Sequence, residues 1–300
     1  MLAALRVGQI LVADGAWGTE LLRFGLRGGD CPELWCISHP DAVRGIADVY
    51  LSAGADLVET NSFGANRYRL GSYGLEGMAS QLNETAARLG RAALSVASAS
   101  GRESRLIGSM GPSGLRWGEV SPKDLSLAFA LQARALAAGS VDALCIETMM
   151  DAREAAIAVR AAKEATGLEA ICSYSFALGP DAMARTIAGQ SLREAVAGAL
   201  SAGADIVGAN CGRGFDETLA VGRQLKSALR ELGSGAPIMV SPNAGLPIAS
   251  GGGMAYPGTP EAMERFARAA IASGASIVGG CCGTGPEHVR AIRRVVDGLF

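Results

Sequence analysis

Residues 201–211 read Ser201-Ala202-Gly203-Ala204-Asp205-Ile206-Val207-Gly208-Ala209-Asn210-Cys211. An Ala-rich amphipathic helix stops at a glycine, four or five apolar residues follow, and polar residues appear where that run ends: helix, short loop, buried strand. The grammar recurs at Leu51-Ser52-Ala53-Gly54 into Leu57-Val58-Glu59-Thr60, at Ala137-Ala138-Gly139 into Ala143 to Glu147, and at Ala272-Ser273-Gly274 into Ile277-Val278-Gly279. Glycine suits the helix stop because the left-handed residue after a helix carries little penalty without a Cβ. With the less marked repeats, strands are predicted near 10–14, 57–60, 105–109, 143–147, 170–174, 206–210, 238–242 and 277–280. Helices are predicted over 79–98, 124–138, 152–165, 191–202, 217–232, 261–273 and 286–298. The strand runs are apolar throughout, as strands covered on both faces should be. Eight strand–helix units without a composition break or linker predict an α/β fold: one (β/α)8 TIM barrel, 1–300, as a single domain. A doubly wound open sheet is the alternative.

Polar residues collect where the strands run out: Asp14-Gly15, Glu59-Thr60-Asn61, Gly108 to Pro112, Glu147-Thr148, Asn210-Cys211, Pro242 to Gly245 and Cys281-Cys282. In a barrel these positions form one rim, the C-terminal face where sites are built. Net charge of −2 and the absence of a basic, aromatic-interleaved cluster argue against a nucleic-acid partner. No apolar stretch reaches the ~20 residues of a membrane span, and the N-terminal segment lacks the form of a signal peptide. The expectation is a cytoplasmic protein without a membrane partner. Seven cysteines, an odd number in a chain large enough to need no disulfide staples, favour free or metal-bound thiols in a reducing compartment.

Cys211, Cys281 and Cys282 end two of these runs. A catalytic zinc takes three protein ligands and leaves a fourth position for water or substrate. The adjacent pair would point to opposite faces of a regular strand, so only irregular backbone lets both face one ion, and Gly280 and Gly283 permit it. Inert buried thiols, a vicinal redox disulfide and a phosphate cradle in the last loops are the rival readings. Cys31 and Cys36 read as incidental, and Cys145 and Cys172 as core. His39 at a helix entrance and His288 in the first turn after the pair read as cap or surface residues rather than ligands. No HExxH, GxSxG or GxxxxGK[ST] pattern occurs. A zinc carrying three thiolates is a poor Lewis acid for carbonyls, yet it ionises an incoming thiol at neutral pH. The chemistry implied is alkyl transfer to a thiol. Asp14 and Glu147 on the same rim suit an α-ammonium, and backbone N–H groups at Gly15 and Ala16 suit an α-carboxylate. Thr60, Asn61 and Asn210 complete the substrate-binding candidates. Trp17, Trp35 and Trp117 read as core or rim packing, with a donor pocket the alternative.

The segments Asp14-Gly15-Ala16-x-Gly18-Thr19, Glu59 to Phe63, Gly111-Pro112, Ile146-Glu147-Thr148, Gly208 to Cys211, Pro242 to Gly245 and Gly279 to His288 resemble the homocysteine S-methyltransferase family from about residue 9 to 296. The resemblance implies a zinc-binding barrel that methylates L-homocysteine to L-methionine, with Cys211, Cys281 and Cys282 as ligands and Asp14 and Glu147 on the amino group. Asn243-Ala244-Gly245-Leu246-Pro247 and Tyr256-Pro257 are most similar to the homocysteine module of cobalamin-dependent methionine synthase. That similarity implies that Asn243 lies near the metal and fills its fourth position when substrate is absent. No folate barrel, cobalamin module or reactivation domain follows Phe300, so the implied methyl donor is a separate methyl-corrinoid protein or a small onium compound such as S-methylmethionine or betaine. Another small thiol as acceptor, and a non-enzymatic zinc- or redox-sensing barrel, stay open as alternatives. The Ala-rich helices are compatible with an oligomer.

Overall fold

Each predicted run alternates between two apolar environments, one inside the sheet and one between the sheet and the helices. The computed structural model describes residues 1–6, 8–97, 103–250 and 253–299. Its strands are β1 (Leu11–Val12), β2 (Leu57–Glu59), β3 (Arg105–Met110), β4 (Ala143–Met149), β5 (Glu169–Tyr174), β6 (Ile206–Cys211), β7 (Ile238–Pro242) and β8 (Ile277–Val278). All pair in parallel, in the order β1-β8-β7-β6-β5-β4-β3-β2. A parallel bridge from Ala13 to Leu57 joins the two ends, with Asp14 N–H donating to Leu57 O at 3.0 Å and Asp56 N–H to Val12 O at 2.7 Å. The result is a nearly closed eight-stranded barrel.

Odd positions along the strands, Leu11, Leu57, Ile107, Cys145 and Ile171, pack into the barrel lumen with Ile206, Met239 and Ile277. Their neighbours Val12, Val58, Leu106, Leu144, Cys172, Val207, Val240 and Val278 face outward into the main core. There they meet α1 (Pro40–Ser52), α2 (Ala79–Ala97), α3 (Pro122–Ala138), α4 (Ala152–Thr166), α5 (Leu192–Ser201), α6 (Phe215–Glu231), α7 (Pro260–Ala272) and α8 (Pro286–Asp297). Both faces of every strand are covered, the physical reason that the runs are apolar at every residue. A short helix, Leu2–Arg6, packs Leu5 against the lumen cluster and shuts the N-terminal face.

The expected strands and helices recur with ends shifted by a few residues, the last strand stopping at Val278; Ser98, the expected end of α2, lies outside the described residues. At three joints the glycine adopts the left-handed backbone as expected: Gly54, Gly203 and Gly274 have φ of 98°, 102° and 102°. The fourth joint differs. Gly139 has φ −80° and Ser140 takes the left-handed position at φ 73°. Gly139 is needed for space, because a Cβ there would lie 2.4 Å from Ala87 Cβ on α2. Two rim hairpins had no signature in the apolar pattern. Phe176–Leu178 pairs antiparallel with Ala184–Thr186 after β5, and Ile248–Ser250 pairs with Gly253–Ala255 after β7.

Candidate active site

Beyond the apolar lumen layer the inward positions turn polar: Glu59, Ser109, Glu147, Ser173 and Ser241 two residues on, and Asn210 four residues on from Ile206. They line a cavity of about 340 Å³ that opens at the C-terminal rim, and among the described residues no Lys, Arg or His contributes to its wall.

Strict alternation would give each strand end one inward side chain. Three local irregularities give it two. On β4 the register shifts between Ile146 and Met149 and Thr148 has φ 56°, so Glu147 and Thr148 both reach the cavity. A bulge of this kind re-aims side chains at a rim. On β6 Cys211 has φ 63°, and Asn210 and Cys211 both line the wall. Beyond β8 the chain leaves the sheet. Cys281 N–H donates to Pro242 O at 2.8 Å, Thr284 N–H donates to Cys281 O at 3.0 Å, and Gly283 has φ 82°, so the adjacent cysteines turn to one side. Left-handed backbone in a residue bearing a Cβ costs about 1–2 kcal/mol. Asn210 braces the strained Thr148. Its Oδ1 accepts from Thr148 N–H at 2.9 Å and Ser173 Oγ at 2.8 Å, and its Nδ2 donates to Thr148 Oγ1 at 2.6 Å and Glu147 Oε2 at 3.3 Å.

The sulfurs of Cys211, Cys281 and Cys282 lie within 4.8 Å of one another, with Cys211 and Cys281 3.0 Å apart. Three thiolates at ~2.3 Å from a tetrahedral ion stand roughly 3.8 Å apart, so small side-chain rotations fit the trio to zinc. Hydrogen bonds from Cys211 and Cys281 hold the Cys282 thiol down at about 3, while Cys281, donor in those bonds, is pushed well above the usual thiol range. Ionising all three would take a divalent cation, and a soft, electron-rich set of this kind suits zinc.

The same cavity is lined by three acids, Asp14 buried and Glu59 and Glu147 half-buried. Burial pushes Asp14 up to about 7, against hydrogen bonds from Glu59 N–H at 2.8 Å and Trp17 Nε1 at 2.9 Å. Burial also raises Glu147, which accepts from Ser109 Oγ. Glu59 is raised furthest, by burial and then by Glu147 and Asp14, and its carboxyl is hydrogen-bonded to Glu147. Three carboxyls that resist ionisation for want of a counter-charge form a receptor for a cation. Glu59 is absent from the residues the sequence singles out for binding. Its signal was parity, since it follows Leu57 by two and so faces the lumen.

Other expected roles change. The Ala16 N–H, expected for a carboxylate, instead donates to Thr284 O at 3.1 Å. A Cβ on Gly15 would sit 2.9 Å from Tyr50 Oη and 3.0 Å from Thr284 O, so the first turn is tightly packed. Thr60 lines the cavity but spends its hydroxyl on Ser62 Oγ at 2.6 Å and Ser109 N–H at 3.1 Å. Asn61 lines the wall and donates to Pro32 O at 2.8 Å. Asn243 stands outside the lining. Its Nδ2 donates to Gly212 O at 2.8 Å, and its Oδ1 is buried with no partner. Cys145, expected in the core, lines the cavity floor, whereas Cys172 faces the helices. Trp17 lines the cavity, Trp35 is buried and stacks on His39 at 4.1 Å, and Trp117 is exposed under the Arg153 guanidinium. His288 braces two loops, accepting from Gly285 N–H at 3.1 Å through Nδ1 and meeting Gly258 O at 2.9 Å through Nε2.

The family model described as "Homocysteine S-methyltransferase" matches residues 11–296. The methionine synthase of Mycobacterium tuberculosis is 30% identical over 304 residues, covering 97% of this chain and 25% of its own. That of Mycobacterium leprae is 31% identical over 301 residues, covering 96% and 24%. The chain thus spans about a quarter of the length of these relatives. Among solved structures, the homocysteine methyltransferase MmuM from Escherichia coli superposes in its oxidized form with TM-score 0.78 at 26% identity, covering 98% of each chain. Its metallated form superposes at 0.79 with 24% identity, covering 97% of this chain and 98% of that one.

Proposed function

This chain belongs to the homocysteine S-methyltransferase family of methyl-transferring enzymes, and from that premise we propose that it methylates L-homocysteine to L-methionine in the cytoplasm, with 1–300 acting as one domain. The observation that carries the reading is the pairing of a thiol trio with an acid cluster across one cavity. Zinc held by Cys211, Cys281 and Cys282 would supply one thing, ionisation of an incoming thiol at neutral pH. The protein's own residues do the rest. Asp14 and Glu147 hold the substrate ammonium, and Glu59, hydrogen-bonded to Glu147, completes that cluster. Burial makes each ion contact stronger than it would be in water. Gly15, Thr60 and Asn61 shape the wall along which the rest of the substrate lies. Asn210 holds Glu147 and Cys211 in register, and the unpartnered Asn243 Oδ1 suits an oxygen reserved for the metal's fourth position when substrate is absent.

The donor is a small onium compound such as S-methylmethionine or betaine, or a methyl-corrinoid on a separate protein. The cavity favours the first, because Asp14, Glu33, Glu59 and Glu147 line it without a cationic side chain. The second is supported by the methionine synthase relatives. In either case the substrate sulfur attacks the methyl carbon in line, and the donor leaves with the electron pair of the broken bond. The test is incubation of zinc-loaded protein with homocysteine and each donor in turn, with methionine as the readout. Methionine formation with one donor supports the reading, and none with any of them overturns it.

A further inference from the structure

The turn that carries Asp14 and the turn that carries Cys281 are joined through their backbones, and one buried side chain stands behind the joint. Gly280 N–H donates to Asp14 O at 2.8 Å, and Ala16 N–H donates to Thr284 O at 3.1 Å. Thr284 in turn is bound to Cys281, its N–H and Oγ1 donating to Cys281 O at 3.0 and 2.7 Å. Tyr50, near the end of α1, is fully buried and does not line the cavity. Its hydroxyl donates to Ala16 O at 2.8 Å and to Thr284 O at 3.4 Å, one carbonyl from each turn. Gly15 is what lets the phenol come so close. A Cβ there would lie 2.9 Å from Tyr50 Oη and 3.0 Å from Tyr50 Cε1.

A substrate gripped at two points is measured by the distance between them. In the reaction proposed above the ammonium sits on Asp14 and the sulfur lies at the metal held in part by Cys281. Homocysteine and cysteine differ by one methylene between those two groups, so the setting of the two turns decides which of them fits. One methylene in a fitted site is worth roughly 10- to 200-fold in selectivity. A site keeps such a fit only when the groups behind it are themselves locked. We propose that Tyr50 sets the chain-length selectivity of the site by holding the Asp14 turn and the Cys281 turn at a fixed separation. The proposal rests on the homocysteine reading given above. Tyr50 touches neither substrate nor metal; it acts through Ala16 and Thr284 and is a positioning residue. The ring alone would fill the space behind Gly15, and only the hydroxyl reaches both carbonyls.

The test compares zinc-loaded parent protein with Tyr50→Phe, which keeps the ring and removes the hydroxyl, by calorimetric dissociation constants for L-homocysteine and L-cysteine. The parent should prefer homocysteine by roughly a hundredfold. Tyr50→Phe should cut that preference about tenfold, the scale of one lost hydrogen bond, by weakening homocysteine binding and leaving cysteine binding unchanged. Equal weakening for both thiols overturns the proposal, because it would make the hydroxyl a support for stability alone. So does a preference as strong as the parent's. Gly15→Ala presses a methyl against the same hydroxyl and should lower the preference likewise, and an unchanged preference in that protein counts equally against the proposal. The underlying reading fails separately: a parent that binds neither thiol, or both alike, refutes the homocysteine reading and the proposal with it. A parent that prefers homocysteine, beside a Tyr50→Phe protein that prefers it as strongly, refutes the role of Tyr50 alone.

Discussion

The lower half of the barrel lumen, around Leu57, Ile107, Ile171, Ile206 and Ile277, and the upper half, around Glu59, Ser109, Glu147, Ser173 and Asn210, are successive layers of the same sheet. The lower half is aliphatic and closed by the Leu2–Arg6 helix, so its side chains contribute stability and nothing else. The upper half gathers three acids that shed their protons reluctantly, and it holds two strained residues, Thr148 and Cys211. Each of those features costs folding free energy, and under the proposed function a bound cation and metal would offset that cost. One strand therefore carries a stabilising layer and a functional layer, and substitutions should sort by layer.

The hardest test is Cys211→Ala. It should abolish stoichiometric zinc binding and lower methyl transfer by roughly a thousandfold, several kcal/mol of transition-state stabilisation, with little change in the secondary structure seen by circular dichroism. Retained zinc and activity would erase the division between layers. In the lower layer, Ile107→Ala should cost about 3 kcal/mol of stability by denaturant titration, while zinc stoichiometry and KM stay at parent values. A shift in KM would mean that the layers are coupled. Removing an ion-paired anchor in the upper layer, Glu147→Ala, should raise the KM for homocysteine about thirtyfold, near 2 kcal/mol, with kcat much less affected. An unchanged KM would point to a thiol acceptor without an α-amino group.

The gentlest effect is a slope with pH. Folded Asp14 keeps its proton up to about 7, whereas an unfolded aspartate loses it near 3.8. Across that interval the folded state binds the extra proton. Stability of the metal-free protein is therefore greatest below the interval and declines as pH rises through it, by up to about 1.4 kcal/mol per unit from this one group. Asp14→Asn should remove this contribution and flatten the profile. A slope unchanged by that substitution would assign the burden to Glu59 and Glu147.

Much of the fold was legible from the glycine-stopped helices and apolar runs, because parallel strands covered on both faces need apolar residues at every position. That uniformity also hid the layer structure. When both faces of a run are apolar, the run alone does not say which parity enters the lumen, and so Cys145 read as core and Glu59 as a rim residue without an assigned role. The rim hairpins and the N-terminal plug were equally silent, since each is too short to carry an apolar run of its own.

What the amino-acid sequence determined by itself was chemical: three thiols and several acids at the ends of eight apolar runs, in a chain without the motifs of a hydrolase or a nucleotide enzyme. Residue types and their spacing along the chain are local properties, and they suffice to name the class of chemistry. What only the tertiary structure decided was directional. It brings Cys211 to Cys281 across 70 positions, sets Asp14 and Glu59 against Glu147, spends the Ala16 N–H on Thr284, and lays Tyr256 over Gly283. Those outcomes depend on left-handed backbone at strand ends and on barrel closure, and both are set by packing among segments that are neighbours only once the sheet has closed.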